Sequence, residues 1–295
     1  MLKNMNDEPL LTVILISYNH VNYVEKCIES VLSQNTNFNF KICIYDDAST
    51  DGTSDIIRSY AKKYPNKIFA YINEKNVGGT ENVFNALKDI QTKYYATCET
   101  DDYWDDNLKL QKQVDILEKN TDCSFCGHNT WWFDCKQNKI LRPMFSKKIK
   151  SKKIELSQKF KMKDLIKVHP SSRVYRTACL DLSTVKNKES VTWDSCSFWY
   201  FLSKGKLYYS DEIMSVYNYT YEGIYSGANN DKRKQMSVNN ILTINKELDY
   251  KYNFVFLKLL KKVLKLPFFT YLKIKYFYDK EKLIKFYNER KNISK

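Results

Sequence analysis

Tyr94-Tyr95-Ala96-Thr97-Cys98-Glu99-Thr100-Asp101-Asp102-Tyr103-Trp104 passes from an apolar run into a cluster of carboxylates. The run reads as a short strand with acids at its end. Alternate residues of an extended segment point the same way, so Glu99 and Asp101 can reach one point, with Asp102 directly after. Two or three carboxylates that converge there suit a hard divalent cation, Mg2+ or Mn2+, with coordination positions left open for phosphate. An acidic turn capping a helix that starts near Asp105 would use the same residues, because Asp is common in such turns.

Upstream, the chain repeats one pattern. Leu10 to Ser17 is a β-branched and aliphatic run of the kind buried on both faces of a parallel sheet. A helix pattern follows over Val21 to Gln34, with Val24, Cys27, Ile28, Val31 and Leu32 as its apolar stripe. A second strand, Phe40 to Tyr45, ends in Asp46-Asp47-Ala48-Ser49-Thr50-Asp51-Gly52-Thr53, and a helix over Ser54 to Tyr64 stops at Pro65. A third strand, Lys67 to Ile72, leads through Asn73 to Gly79 into a helix over Glu81 to Ile90. Polar loops follow every strand. The pattern predicts an open α/β sheet whose ligand lies beyond the carboxyl ends of the strands, where Tyr18-Asn19-His20, Asp46-Asp47 and Glu99 to Asp102 gather. An acidic loop holds phosphate through a metal, or accepts hydrogen bonds from a nucleobase N–H and ribose hydroxyls. The chain has no Walker-type loop and no GxGxxG, which argues against a phosphate-loop NTPase or a dinucleotide fold.

The composition is globular, with 43% hydrophobic and 28% charged residues. The net charge of +14 is uneven: residues 232–295 hold 17 basic and 5 acidic residues, which leaves 31 basic and 29 acidic on residues 1–231. This divides the chain into a catalytic domain, 1–231, and a basic helical extension, 232–295. Such a tail suggests an anionic partner. From Asn253 to Leu266, Lys258, Lys261, Lys262 and Lys265 fall on one helix face and apolar residues cover the rest. That pattern suits an interfacial helix on anionic lipid, or a helix packed on the domain with solvated lysines. The basic residues avoid the cleft and carry no reading motif, so nucleic acid is not expected. Met1 to Pro9 does not read as a signal peptide, and no apolar run is long enough for a transmembrane helix. Among the 8 cysteines, Cys123 and Cys126 form a CxxC with His128 and Cys135 nearby; zinc and buried free thiols are the competing readings. A cytoplasmic setting with reduced cysteines is expected, with the tail peripheral at the inner face of the cell membrane.

The residues also resemble a family, the inverting, nucleotide-sugar-dependent family 2 glycosyltransferases. The resemblance rests on Val13 to His20, Ile28-Glu29-Ser30-Val31-Leu32-Ser33-Gln34, Ile44 to Thr53, Asn76-Val77-Gly78, Glu99 to Trp104 and Lys109-Leu110-Gln111-Lys112-Gln113, in the family's order over about the first 120 residues. It resumes at Gly205-Lys206 to Gly227. It implies a GT-A type fold, a UDP-sugar donor, a glycan or lipid-linked acceptor, Mn2+ or Mg2+, and bacterial surface-polysaccharide assembly such as capsule or O-antigen. It also implies roles. Ser17, Tyr18 and Asn19 would line the uridine pocket. Asp47, with Asp46 and Asn76, would bind the uracil ring. Glu99 and Asp101 would form the acidic DxD-type motif, with Asp101 and Asp102 toward the metal and Glu99 toward ribose. Asp194, at the start of a helix pattern, would be the base that inversion requires; an N-cap is its structural alternative. His169 would contact acceptor or pyrophosphate, or brace its proline turn. Where the family often has Arg and His, this chain has Asn218 and Thr220. A metal-dependent nucleotidyltransferase and a sugar-nucleotide-binding module without turnover are the rival functions.

Overall fold

The computed structural model describes residues 8–145, 151–157, 166, 168–184, 193–223, 226–248 and 251–264. The lysines from 147 to 150, Thr192, Tyr225, Lys265 and everything after it lie outside the described residues.

The first half builds the expected alternation: β1 (Leu11–Ser17), α1 (Val24–Leu32), β2 (Phe40–Asp46), α2 (Thr53–Lys63), β3 (Ile68–Ile72), α3 (Gly79–Lys88) and β4 (Tyr94–Glu99). β1 shows why these strands read as continuous apolar runs. Leu11, Val13 and Leu15 enter one core and Ile14 the other, so both faces are buried. The sheet order is β3-β2-β1-β4, then β9 (Val174–Arg176), β6 (Cys123–Asp134), β10 (Lys206–Tyr219) and β5 (Tyr103–Trp104). β1 to β4 pair in parallel, β9 is antiparallel to both β4 and β6, and β6 and β10 pair in parallel. β7 (Lys139–Pro143) and β8 (Lys152–Ile154) add antiparallel partners to β6 and β10.

Helices cover both faces. α1, α2 and α4 (Lys109–Lys119) pack on one core. α3, α5 (Trp193–Lys204), α6 (Asn230–Glu247) and α7 (Asn253–Leu264) pack on the other. The arrangement is an α/β/α sandwich with a mostly parallel sheet.

Two expectations change here. Lys206 to Tyr219 reads in sequence as two strands around Ser210-Asp211-Glu212. It forms one strand, because the polar triplet is accommodated as a bulge: the register against β6 shifts between Ser210 and Ile213 and again before Ser215. The described part of the basic extension shares the catalytic core. Val238, Ile241, Leu242, Ile244, Tyr252, Val255, Phe256, Leu257, Leu259 and Leu260 are buried in the same cluster as Ile14 and Tyr95. Phe256 meets Trp199 of α5 edge-on, with ring centroids 5.2 Å apart. The apolar side of α7 is thus occupied by protein, which leaves Lys258 and Lys262 exposed. Among the described residues no helix is long and apolar enough to cross a membrane.

Candidate functional site: a buried carboxylate cluster

β4 ends at Glu99, and the chain turns at once: the Asp102 amide donates to the Glu99 carbonyl at 2.9 Å. The two-residue period of a strand therefore does not carry on to Asp101. It is Glu99 and Asp102 that converge, together with His169, with one ligand atom from each within 4.8 Å of the others. Asp101 is deflected toward His20, whose Nε2 lies 3.9 Å from Asp101 Oδ2. His20 is held in turn by a 2.8 Å hydrogen bond between its Nδ1 and Thr100 Oγ1. Asp194, in the first turn of α5, completes the group through a side-chain hydrogen bond with Glu99.

All four carboxyl groups are shifted in the same direction. Burial pushes Glu99 and Asp102 well above the ordinary carboxylate range, and neighbouring acids push further, Asp194 foremost for Glu99 and Asp101 for Asp102. Asp101 and Asp194 are also raised, chiefly by burial, against the opposing pull of His20 on the first and Arg173 on the second. Burial, then the Arg173 cation, depress His169 from 6.5 to about 3, so its ring is neutral at pH 7. Four acids with so little positive charge around them favour protonation or a bound cation.

The surroundings hold these acids firmly. Ser171 Oγ donates to Asp102 Oδ2 at 2.5 Å and the Asn218 amide to Asp102 Oδ1 at 3.1 Å. Asn218 Nδ2 donates to the Asp101 carbonyl at 2.5 Å. Arg173, buried, spans Asp194 and the turn before β9: its Nη1 donates to the Asp194 carbonyl at 2.9 Å and its Nε to the Val168 carbonyl at 3.0 Å. Asp101 Oδ1, by contrast, is buried with no hydrogen-bond partner among the described residues. Glu99, Asp102 and His169 form a donor set of carboxylate oxygens plus one neutral imidazole, and the orphaned Asp101 oxygen belongs to the same acidic turn. That set fits Mn2+ or Mg2+, so the residues present match the expected cation.

The edge where the resemblance expects the nucleotide is built from the β1 and β2 loops. The Asp47 amide donates to the Ser17 carbonyl at 2.9 Å. Asp47 accepts from the amides of Val77 and Gly78, each at 2.8 Å, and from Asn73 Nδ2 at 3.0 Å. It thereby fixes the loop before α3; Gly78 there has φ 89°, a conformation that favours glycine. Asn76 Nδ2 donates to the Asp47 carbonyl at 3.2 Å. Asp46 is fully buried and turned into its own loop, accepting from Ser49 N, Ser49 Oγ and Ser54 Oγ. Asn19, with φ 55°, accepts from the Thr50 amide at 2.9 Å. Tyr18 is exposed, and Ser17 Oγ is buried without a partner among the described residues. The structure thus brings Ser17, Tyr18, Asn19, Asp46, Asp47 and Asn76 to one edge, beside the acids.

His20, Ser171, Arg173 and Asn218 are site residues that sequence reasoning left unassigned. Arg173 follows the polar turn His169-Pro170-Ser171-Ser172 and directly precedes β9, and nothing in that local pattern marks it as a site residue. Asn218 stands where a cation was expected; it serves as a brace of the acidic turn. Among the described residues the CxxC belongs to no cluster of three or more metal-ligating side chains: Cys123 and Cys126 are buried thiols along β6, and His128 Nδ1 lies 2.7 Å from the Asn129 carbonyl.

A mostly parallel sheet with buried acids at the carboxyl end of β4 is the architecture of GT-A glycosyltransferases. The glycosyl transferase family 2 model matches residues 12–180, more than half of the chain, and the chain belongs to that family. Its resemblance to individual relatives is narrower. It is 37% identical over 118 residues to an uncharacterized protein of Mycobacterium bovis, across 40% of this chain and 34% of that one. It is 37% identical over 125 residues to TuaG of Bacillus subtilis, a protein whose name assigns it provisionally to teichuronic acid biosynthesis, across 42% of this chain and 48% of TuaG. The chain therefore spans less than half the length of these relatives. Among solved structures, S. aureus TarS in complex with UDP-GlcNAc superposes with a TM-score of 0.64 at 18% identity, over 86% of this chain and 71% of TarS. The mannosyltransferase PcManGT of Pyrobaculum calidifontis, in complex with GDP-Man and Mn2+, superposes with a TM-score of 0.57 at 13% identity, over 88% of this chain and 74% of that one. At such identities the superpositions establish the fold.

Proposed function

We propose that this chain transfers a sugar from a UDP-sugar, with inversion, to a glycan or lipid-linked acceptor in bacterial surface-polysaccharide synthesis. The observation that carries this reading is the Glu99–Asp194 hydrogen bond at the carboxyl end of the parallel strands, beside the orphaned Asp101 oxygen. An acceptor hydroxyl attacks the anomeric carbon as the bond from that carbon to the diphosphate oxygen breaks. Asp194 takes the hydroxyl proton, and its raised proton affinity suits a general base. Arg173 holds the Asp194 backbone, and Asn218 and Ser171 keep the acidic turn in place. Asp101 and Asp102, with Glu99 and His169 alongside, would hold Mn2+ or Mg2+, which when bound offsets charge on the departing UDP. Ser17, Tyr18, Asn19, Asp47 and Asn76 would enclose the uridine. The complexes of TarS with UDP-GlcNAc and PcManGT with Mn2+ support the donor and ion classes. TuaG's name supports the setting.

We infer a cytoplasmic location at the inner face of the membrane, by electrostatic contact through the exposed lysines of α7 rather than by inserting its apolar side. Release of UDP on mixing the protein with a panel of UDP-sugars and Mn2+ tests the proposal. Release of pyrophosphate in place of UDP would favour a nucleotidyltransferase, and no turnover with intact UDP binding would favour a binding module.

A further inference from the structure

The ring of His169 does not end at the acids. It stacks on Tyr217, with centroids 4.6 Å apart. Tyr217 packs against Trp132 at 5.9 Å and Tyr219 at 6.3 Å, Trp132 and Tyr219 meet at 5.7 Å, and Tyr219 meets Tyr221 at 4.3 Å. The strands dictate this series. Trp132 of β6 and Tyr217 of β10 are register partners, and Tyr217 and Tyr219 alternate along β10. Trp132, Tyr217, Tyr219 and Tyr221 are all half-buried rather than sealed in the core. The inner end touches the acidic cluster through His169, whose ring nitrogen lies with the Glu99 and Asp102 carboxylates. Cations flank the outer end, with the Arg142 guanidinium 5.1 Å from the Trp132 ring and Lys136 Nζ 4.4 Å from the Tyr221 ring.

Trp132 Nε1 is buried and has no acceptor among the described residues, whereas Tyr221 Oη donates to Asp134 Oδ2 at 2.8 Å. Half-buried aromatic rings in series beside the acids match a ligand that is apolar on its C–H face and polar at its rim. A pyranose ring has that form, and a polyol-phosphate chain does not.

We propose that Tyr217, Trp132, Tyr219 and Tyr221 form an acceptor track that stacks successive pyranose rings of a glycan leading to the carboxylate cluster. This rests on the glycosyl-transfer reading of that cluster. The track sets the class of acceptor: a chain of sugar rings, delivered with its terminal hydroxyl beside Asp194.

The test is binding, followed by tryptophan fluorescence and saturation-transfer NMR, in the presence of UDP and Mn2+. The probes are cellotetraose, a hyaluronan tetrasaccharide and poly(ribitol phosphate). At least one of the two tetrasaccharides should bind the wild type. Trp132→Leu, which stays apolar but is smaller and loses the π face, should weaken that binding by about 10-fold, and Trp132→Phe should restore most of it. UDP affinity and melting temperature should stay near wild type in both variants, which shows that the fold and the nucleotide side are intact. UDP binding with no response to either tetrasaccharide, or equal tetrasaccharide affinity in the wild type and Trp132→Leu, would overturn the track alone. Preferential binding of poly(ribitol phosphate) would overturn it as well. Tetrasaccharide binding that depends on Trp132, in a protein that does not bind UDP, would uphold the track and contradict the nucleotide site.

Discussion

In the proposed reaction Asp194 takes the proton of the acceptor hydroxyl. It sits in the first turn of α5, yet it accepts from Glu99 and carries a raised proton affinity, so its carboxylate faces the acids rather than merely capping its helix. Asp194→Asn should keep UDP affinity and lose turnover by about 100-fold or more, the scale of removing a general base. Steady-state UDP release checks this; a near-wild-type rate would place the base elsewhere. Single residues were unevenly legible in the sequence. Glu99 to Asp102 announced themselves by their density at a strand end. Ser171 and Arg173 did not, because their roles depend on β9 lying antiparallel beside β4, a long-range pairing that local pattern does not encode. Asp46 was legible as an acid but not as one used up within its own turn.

The elements set two further expectations. The acidic turn and the turn before β9 confine groups whose protonation is linked to folding. Glu99, Asp101, Asp102 and Asp194 bind protons more tightly folded than unfolded. Their contribution is complete below the ordinary values of 4.5 for Glu99 and 3.8 for the aspartates, and is lost as pH rises through their raised folded values. His169, lowered from 6.5 to about 3, works in the other direction: its contribution is present above 6.5 and is lost as pH falls below it. Melting curves in EDTA should therefore show stability falling on the alkaline side, with Mn2+ suppressing that fall. An identical alkaline slope with and without Mn2+ would count against a cation among these acids. The second element is α7, where the sequence left two readings open. Phe256 is fully buried against Trp199 and the α6 side chains, so Phe256→Ala should destabilise the fold by about 3–5 kcal/mol, read by denaturant titration. Lys258→Glu with Lys262→Glu should weaken sedimentation with anionic liposomes at low salt while the chain stays folded. Each lysine near such a surface contributes on the order of 1 kcal/mol. Unchanged sedimentation would rule out an electrostatic contact through α7.

For the whole molecule, the periodicity of the first 120 residues was enough to specify an α/β sheet, because a buried parallel strand is apolar on both faces and an intervening helix on one. What followed was less legible. β6, β9 and β10 interleave in the sheet in an order unrelated to their order in sequence, and bulges in β10 disguise one strand as two. The helices α6 and α7 looked like an appendage from charge alone, although their apolar residues complete the core over α5. The same interleaving builds the site: β4 supplies the acids, β9 and its turn supply Arg173 and His169, and β10 supplies Asn218 and Tyr217. The account's central claim is that these strands assemble a cation-dependent nucleotide site at the buried acids. Calorimetric titration of UDP into the wild type and Asp101→Asn, each with Mn2+ and with EDTA, tests it most directly. The account predicts tight binding for the wild type with Mn2+, a loss of about 10-fold or more in EDTA, and little difference between the two conditions for Asp101→Asn. Equal UDP affinity of the wild type in Mn2+ and in EDTA would contradict it.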